Sequence, residues 1–254
     1  MFDYAEKVLG KALVRQGLKY VSGNPEENLP KILDLGEKIA KRPSDKETVR
    51  KVRNNVVDPN SNWHKFATTL LTRIDPNIRE KTAGNFFVDA CLLGNPKQDQ
   101  LSKKYDINVP WAILIDPTAA CNLRCVGCWA GEYNQKDALD YDTLNRVISE
   151  AEELGIFFTI FSGGEPTVRK DYLIKLAEAH PDSVFLAFTN ATLIDDAFAS
   201  QVEEVGNLGF AISVEGFEKE TDMRRGKGTY KKVMDAMDIL KKHGVVFGDR
   251  KSVV

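Results

Sequence analysis

The sequence predicts an α/β protein with a helical N-terminal region over residues 1–108 and an alternating strand–helix region over residues 109–248. Two observations lead to this prediction. Apolar residues recur at helical spacing through the first part of the chain, and from Val109 onward short apolar runs alternate with amphipathic segments. Such alternation is typical of right-handed βα units around a parallel sheet. It favours an open or partial β/α barrel and leaves a doubly wound sheet as the alternative.

The N-terminal region contains a series of predicted helices with recognisable start signals. They are Phe2–Tyr20 and helices that open at Asn24-Pro25, at the capping box Ser44–Glu47, at Asn60–Trp63 and at Asp75-Pro76. Gly94-Asn95-Pro96 is expected to end the last of them. We expect the region to pack as a cap on the strand–helix part. Its aromatic and leucine side chains are expected to be core residues and not a ligand site. They are Phe66, Leu70, Leu71, Phe86, Phe87, Leu92 and Leu93.

The second region contains predicted strands that alternate with helices. The strands are Trp111–Ile115, Ile156–Phe161, Val184–Phe188, Phe210–Val214 and one that begins at Val245–Phe247. The helices between them are Asp142–Leu154, Lys170–His180, Asp195–Val205 and Thr229–His243. This makes about four and a half βα units. In β/α barrels the chemistry collects where the strands end.

Composition narrows the class of protein. The chain has 254 residues, of which 43% are hydrophobic, and a formal net charge of -2, which gives no electrostatic case for nucleic acid. No apolar run approaches the roughly 20 residues that a membrane-spanning helix needs. The N-terminus lacks the regions of a signal peptide. We therefore expect a cytoplasmic protein, whose thiols stay reduced.

Three of the four cysteines, Cys121, Cys125 and Cys128, follow the first predicted strand directly. Thiolates gathered on one loop usually hold a metal ion or an iron–sulfur cluster, and three of them leave one metal position open. A shared helix face is disfavoured because Asp116-Pro117-Thr118 interrupts the backbone upstream. A disulfide is disfavoured because nothing marks the chain as secreted. A zinc site is the serious alternative, although structural zinc usually has a fourth ligand, and Cys91 lies in a predicted helix core.

A second motif, Phe161-Ser-Gly163-Gly164-Glu165-Pro166, closes the next predicted strand. Glycines lack a Cβ atom, so they let a ligand lie close against the main chain. Alone, this motif is an ordinary strand-to-turn signal. In order, and each at a strand end, the Cys-x3-Cys-x2-Cys and Gly-Gly-Glu motifs resemble those of the radical S-adenosylmethionine (radical SAM) enzymes.

The resemblance covers roughly residues 109–248 and assigns no subfamily. It implies a partial β/α barrel of the radical SAM type. It also implies a 4Fe–4S cluster whose fourth iron binds the amino and carboxylate groups of SAM. The implied cluster ligands are Cys121, Cys125 and Cys128. The backbone implied to seat the methionine end of SAM is that of Gly163, Gly164 and Glu165.

Small polar residues follow the third and fourth predicted strands. The resemblance implies that Ser213 and Glu215 bind the SAM ribose, with Asn190 as a further candidate, and that Arg225 holds the SAM carboxylate. The alternative role for each is loop capping or turn formation. One position departs from the family pattern, since the aromatic residue expected just before the third cysteine is replaced by Gly127. Trp129 follows that cysteine instead, so either it stacks on the adenine or it belongs to the core.

The last six residues, Asp249–Val254, interrupt the fifth predicted strand. The codons GAT-CGG-AAG-AGC-GTC-GTG encode this hexapeptide and spell a common sequencing-adapter read. We therefore interpret residues 249–254 as a non-native tail and expect the barrel to be incomplete at its C-terminus.

The implied activity is reductive cleavage of SAM to methionine and a 5′-deoxyadenosyl radical, which abstracts hydrogen from a substrate. The implied partners are an external electron donor such as flavodoxin or ferredoxin and a substrate that is a peptide, a lipid or a small molecule. No catalytic side chain is assigned. The alternative function, from another class, is a zinc-stabilised binding protein with structural cysteines.

Overall fold

The computed structural model describes residues 4–39, 43–131 and 136–251. Its N-terminal part consists of α1 (Tyr4–Gly23), α2 (Pro25–Ile39), α3 (Pro43–Val56), α4 (Asn62–Arg73), α5 (Pro76–Gly84), a π-helical segment (Asn85–Gly94) and α6 (Asn95–Tyr105). Ser61 caps α4 and Asp75 caps α5, each by accepting a backbone N–H, as their start signals predict. The side chain of Ser44, in the predicted capping box, lies outside the described residues.

The helix predicted to end at Gly94-Asn95-Pro96 continues as α6, so this prediction is wrong. Pro96 lies in the first turn of α6, directly after the π-helical segment ends at Gly94. Gly94 allows the helix to pack closely against the turn at Gly155, because a Cβ atom on Gly94 would lie 2.5 Å from the carbonyl oxygen of Gly155. The glycine thus lets the helical chain pass against another turn without ending there.

Five parallel strands form one sheet in the order β1-β2-β3-β4-β5. They are β1 (Ile113–Ile115), β2 (Phe158–Phe161), β3 (Val184–Thr189), β4 (Leu208–Val214) and β5 (Phe247–Lys251). The connecting helices are α7 (Tyr141–Glu153), α8 (Lys170–Ala179), α9 (Asp196–Val205), α10 (Glu218–Arg225) and α11 (Thr229–Lys242). In a doubly wound sheet the strand order reverses at a switch point, whereas here each strand pairs with the next in sequence. The fold is therefore the partial β/α barrel, and the doubly wound alternative is excluded.

One face of the sheet carries the hydrophobic core of the barrel. Phe161, Phe185 and Phe210 point to this face and pack against apolar side chains of the connecting helices, such as Leu144 and Leu173. Alternate residues of a strand point to opposite faces. The opposite face, called here the open face, carries half-buried side chains. They include Phe158, Ile160, Leu186, Phe188, Ala211 and Ser213.

The helical region packs on the edge of the sheet where the strands begin. Its side chains donate hydrogen bonds to carbonyl oxygens in the turns before β2, β3 and β4. These bonds run from Gln98 Nε2 to Gly155 O (2.6 Å), from Asn85 Nδ2 to Ser183 O (3.0 Å) and from Lys81 Nζ to Val205 O (2.6 Å). Parallel strands begin at one edge and end at the other, so the helices leave the carboxyl edge to the loops that carry the motifs.

Part of the apolar surface of these helices is exposed, against the prediction that it is core. Phe66, Phe87 and Leu92 are 54%, 58% and 57% exposed, whereas Leu71 and Leu93 are buried. Consecutive residues on a helix point about 100° apart, so both members of an apolar pair cannot face the same neighbour. One member of such a pair is therefore buried in the core, and the other is exposed on the surface.

The end of the described chain extends β5 through Asp249 to Lys251, paired in register with β4 from Ile212 to Val214. Backbone hydrogen bonds form this pairing, and they depend little on side-chain identity. The non-native origin of residues 249–254 remains a prediction, and residues 252–254 lie outside the described residues. Among the described helices, none combines the length and the apolar character needed to cross a bilayer.

Candidate functional site

The clustered cysteines lie on the loop after β1 and line one small cavity. Cys121, Cys125 and Cys128 share its lining with Gly131 and Gly164. The three thiols form no disulfide and are half-buried. The cavity is small, and its two glycines line it with backbone atoms alone. The donor set is therefore three thiols at the carboxyl edge of the sheet.

Three thiols offer one ligand fewer than structural zinc usually has, and this number suits a cluster. Burial raises the pKa of Cys121 and Cys125, and the backbone N–H of Leu123 donates to Cys121 Sγ at 3.4 Å. In the described ranges no three His, Cys, Asp or Glu side chains are arranged to hold one metal ion. Structural zinc gathers four ligands, with thiolates about 2.3 Å from the ion, so the zinc alternative is not supported. An iron–sulfur cluster distributes its thiolates over several irons and suits this set.

Gly163 and Gly164 bring the end of β2 against the cysteine loop. A Cβ atom on Gly164 would lie 2.3 Å from Ala120 O, and one on Gly163, whose φ is +102°, would lie 2.7 Å from Thr118 O. The backbone N–H groups of Gly164 and Glu165 donate to Thr118 O (2.9 Å) and Ala120 O (2.8 Å). The two motifs are thus joined through their main chains, a contact that the sequence did not predict.

Replacing Gly164 with alanine is expected to push the cysteine loop away from β2. The added methyl group meets backbone atoms that cannot rotate aside, so we expect a loss of about 1–3 kcal/mol in the free energy of unfolding. The iron content after anaerobic reconstitution is expected to fall as well. Gly17→Ala is the matched control, since a Cβ atom there meets nothing within 4 Å. Unchanged stability and full iron content in Gly164→Ala would contradict the steric argument.

Glu165 joins the ends of β2 and β3 through its carboxylate, which is buried in a residue only 1% exposed. Oε1 accepts from the backbone N–H of Thr167 (3.0 Å) and from the hydroxyls of Thr167 (2.5 Å) and Thr189 (2.7 Å). Oε2 accepts from the backbone N–H of Asn190 (2.7 Å). The side chain is therefore occupied inside the protein, and the backbone is hydrogen-bonded too, because the N–H of Glu165 donates to Ala120 O and its carbonyl oxygen accepts from the N–H of Val168.

Asn190, at the end of β3, lies beside the first cysteine. Its Nδ2 donates to Asn122 Oδ1 (2.9 Å) and lies 4.0 Å from Cys121 Sγ. Its Oδ1 accepts from the backbone N–H (3.0 Å) and the hydroxyl (2.7 Å) of Thr192. Thr192 in turn accepts from Asn122 Nδ2 at 2.8 Å. This amide network fixes the loop at Cys121, and the ribose role of Asn190 remains a prediction.

Glu215 and Arg225 are brought together as a buried ion pair after β4. Arg225 donates to both carboxylate oxygens, at 2.5 and 2.7 Å, and Arg224 adds a contact to Oε1 at 3.0 Å. Arg224 also binds the cysteine loop, because its backbone carbonyl accepts from the N–H of Val126 at 2.8 Å. Burial lowers the pKa of Arg225, but hydrogen bonds and charge from Glu215 outweigh this and raise it. The positive charge of Arg225 favours the thiolate of Cys125.

Two further residues, Ser213 and Trp129, lie outside the hydrogen-bond networks described above. Ser213 is half-buried on the open face, next to the end of β4. Trp129 is 63% exposed, so the interpretation that it belongs to the core is wrong. Gly127 has a φ of +68°, a left-handed conformation that an aromatic residue adopts only with strain. The loop geometry thus accounts for glycine at that position.

Some residues of the site were not singled out from the sequence. Asn122 and Thr192 join the network at Cys121, and Thr189 holds Glu165. Arg224, which contacts both Glu215 and the cysteine loop, is another. The helix α10 that carries it was not predicted, because its sequence EKETDMRR offers no apolar stripe. Adjacency to Cys121 and to a strand end was the available signal for Asn122 and Thr189.

Fold and site together define a class of protein: a partial β/α barrel with three cysteine thiols gathered at the carboxyl edge of its sheet. The model of the Radical SAM superfamily matches residues 115–250, more than half of the chain. This chain therefore belongs to the radical SAM superfamily. The family uses a 4Fe–4S cluster and SAM.

Curated relatives carry different activities. An Fe-coproporphyrin III synthase of Methanosarcina barkeri is 30% identical over 158 residues, which cover 61% of this chain and 39% of the relative. The mycofactocin maturase MftC of Mycolicibacterium smegmatis is 31% identical over 150 residues, covering 57% of this chain and 37% of the relative. The chain thus spans well under half the length of these relatives.

Solved structures share the fold. Native anSMEcpe with bound AdoMet and Kp18Cys peptide matches with a TM-score of 0.50 and 25% identity, over 54% of this chain and 42% of that chain. Streptococcus suis SuiB bound to S-adenosylmethionine matches with a TM-score of 0.53 and 18% identity, over 82% and 46% of the two chains. The second likeness concerns the fold alone.

Proposed function

We propose that residues 109–248 form the SAM-cleaving core of a radical SAM enzyme, with residues 1–108 as a helical region packed on its amino edge. The observation that carries this proposal is the pairing of the two motifs. The cysteine loop and the Gly163–Glu165 turn are hydrogen-bonded to each other at the carboxyl edge of one sheet. A cluster on the loop and SAM on the turn would then be neighbours.

Cys121, Cys125 and Cys128 would hold the cluster, and the backbone of Gly163, Gly164 and Glu165 would seat the methionine end of SAM. When bound, the cluster and SAM supply a 5′-deoxyadenosyl radical, the species that takes hydrogen from the substrate. The protein contributes position and electrostatics.

Some polar side chains of the site are proposed to contact SAM, whereas others hold the loops of the site in place. Ser213, half-buried on the open face, is free of the buried ion pair and is the proposed ribose contact. Glu215 and Arg225 already satisfy each other, so we assign them to fixing the loop after β4 and to placing positive charge near Cys125. Direct contact of Glu215 with the ribose, or of Arg225 with the SAM carboxylate, would require this ion pair to open.

The substrate is proposed to reach the site along the open face of the sheet. Phe158, Ile160, Leu186 and Phe188 make this surface apolar, so a substrate would present an aliphatic or aromatic part to it. A peptide is the first class to test, because the anSMEcpe structure contains one. Lipids and small molecules are the other classes. The proposed electron donor is a flavodoxin or ferredoxin of the cytoplasm.

An electron paramagnetic resonance spectrum tests the proposed function. Anaerobically reconstituted, dithionite-reduced protein is expected to show a reduced-cluster signal that changes when SAM is added, because SAM binds the open iron. The same samples are expected to release methionine and 5′-deoxyadenosine. A folded protein that binds iron but shows neither a SAM-dependent signal nor SAM cleavage would contradict the proposal.

A further inference from the structure

Asn190 follows β3 directly, with its amide group buried against the cysteine loop. The residue is 6% exposed, so its polar atoms depend on partners inside the protein. Its Oδ1 accepts from the backbone N–H of Thr192 (3.0 Å) and from the Thr192 hydroxyl (2.7 Å). Because a backbone N–H can only donate, the oxygen and not the nitrogen of the amide faces Thr192. The Nδ2 group therefore faces the cysteine loop.

The Nδ2 group carries two hydrogen atoms and has two acceptors within reach. One is Asn122 Oδ1 at 2.9 Å, and the other is Cys121 Sγ at 4.0 Å. Asn122 is held in turn, because its Nδ2 donates to the hydroxyl of Thr192 at 2.8 Å. One N–H of Asn190 is thus taken by Asn122, and the sulfur of Cys121 is the acceptor for the other.

The backbone around Asn190 keeps the amide in this place. The N–H of Asn190 donates to Glu165 Oε2 at 2.7 Å. Ala191, the next residue, is fully buried and has a φ of +61°. Alanine adopts this left-handed conformation only with strain, and such strain persists where the surroundings hold it. The turn after β3 is therefore held in a strained conformation that brings Asn190 to the cysteine loop.

We propose that Asn190 is a positioning residue that donates an N–H···S hydrogen bond to Cys121 and thereby raises the reduction potential of the cluster. This inference rests on the proposed function, because it needs a cluster on the three thiols. A thiol is a weak acceptor, whereas a cluster-bound thiolate is negatively charged, so the contact becomes charge-assisted. An N–H dipole aimed at a ligand sulfur stabilises the charge of the electron that the external donor adds.

This assignment leaves the amide of Asn190 no free group. Both N–H groups have an acceptor, and Oδ1 accepts twice. A ribose hydroxyl would have to displace one of these contacts. The inferred role therefore competes with the ribose role that the resemblance implies for Asn190.

The reduction potential of the reconstituted full chain, read from electron paramagnetic resonance spectra at a series of fixed potentials without SAM, tests the proposal. Asn190→Asp keeps the shape of the side chain and the acceptor for Thr192 but replaces the donor with an anionic oxygen. We expect it to lower the equilibrium constant for one-electron reduction about 10-fold, the value of one hydrogen bond to a charged group. This is a shift of about 59 mV to lower potential.

Thr192→Val is the matched control. It removes a hydroxyl from the same network and leaves the backbone N–H that orients the amide of Asn190. The network is weakened, but the donor to Cys121 stays in place. The cluster of this variant is therefore expected to keep the potential of the unmodified protein.

A second variant separates the lost donor from the added charge. Asn190→Leu has a similar shape and no charge, so it is expected to shift the potential in the same direction as Asn190→Asp. An unchanged potential in either Asn190 variant, or an equal shift in Thr192→Val, would overturn the proposal. If Asn190→Leu does not retain the cluster, Asn190→Asp decides, because it keeps the acceptor for Thr192.

The same samples distinguish this proposal from the proposed function. A cluster whose signal does not change with SAM contradicts the proposed function and leaves the comparison of potentials valid. A SAM-dependent cluster with one potential in all variants contradicts only the role of Asn190. A full chain that holds no reducible cluster would contradict both.

Discussion

Cys125→Ala is expected to lose the 4Fe–4S cluster, and with it SAM cleavage, while the barrel stays folded. Cys125 is one of three thiols on the cavity at the carboxyl edge, and its replacement would leave the cluster with only two protein ligands. The cavity lies on a loop outside the hydrophobic core, so the change costs little packing. Iron and sulfide content, the visible absorption of the cluster and the yield of 5′-deoxyadenosine measure the effect. We expect each to fall to background.

Cys91→Ala is the matched control for this variant. Cys91 is the fourth free cysteine and lies in the π-helical segment, away from the cavity. Burial raises the pKa of its thiol, which keeps it protonated at neutral pH. Its replacement is expected to leave cluster content and SAM cleavage at the level of the unmodified protein. If Cys91→Ala lost the cluster and Cys125→Ala kept it, the assignment of the metal ligands would be wrong.

Glu165→Ala is expected to have the largest effect on stability among the site residues. Its buried carboxylate accepts hydrogen bonds from Thr167, Thr189 and Asn190 and thereby ties β2 to β3. Removing it leaves these donors without partners, at a cost of about 2–4 kcal/mol in the free energy of unfolding. Glu165→Gln is expected to recover only part of the loss, since its amide group turns a donor toward other donors. Denaturant unfolding measures both variants.

Glu178→Ala provides the comparison for Glu165. Glu178 is an exposed carboxylate on α8, and its removal is expected to change stability by less than about 0.5 kcal/mol. If Glu165→Ala were as stable as Glu178→Ala, the carboxylate would not be a structural tie. A variant that keeps its stability but loses SAM binding would instead point to a direct role of the side chain at the ligand.

The hydrogen bonds of Glu165 and Arg224 connect the site into one unit. Glu165 joins β2 to β3, while Arg224, on the helix α10 that follows β4, binds Val126 on the cysteine loop. The Glu165 turn and the cysteine loop are therefore each anchored to a segment that follows another strand. Because the loops are already ordered, binding of a cofactor would not carry the entropic cost of ordering them.

The sequence alone determined the class of fold, the strands and the three thiols. Strands alternate with helices so regularly that the segments from Val184 to Thr189 and from Leu208 to Val214 were found within a few residues, because burial on a parallel sheet demands local apolar runs. The grouping of Cys121, Cys125 and Cys128 was recognisable because close spacing on one loop is a local property, and their role as cluster ligands stays a prediction.

Only the tertiary structure decided how distant parts meet. The continuation of the helix past Gly94 depends on close packing against Gly155, which no local pattern encodes. The pairing of Glu215 with Arg225, the inward position of Glu165 and the exposure of Phe87 and Trp129 likewise depend on what lies across from each residue. Local propensity largely determines the helices and strands. Contacts between elements far apart in sequence determine the surroundings of each side chain. Those surroundings decide which residues of this site are available to a ligand and which hold the loops in place.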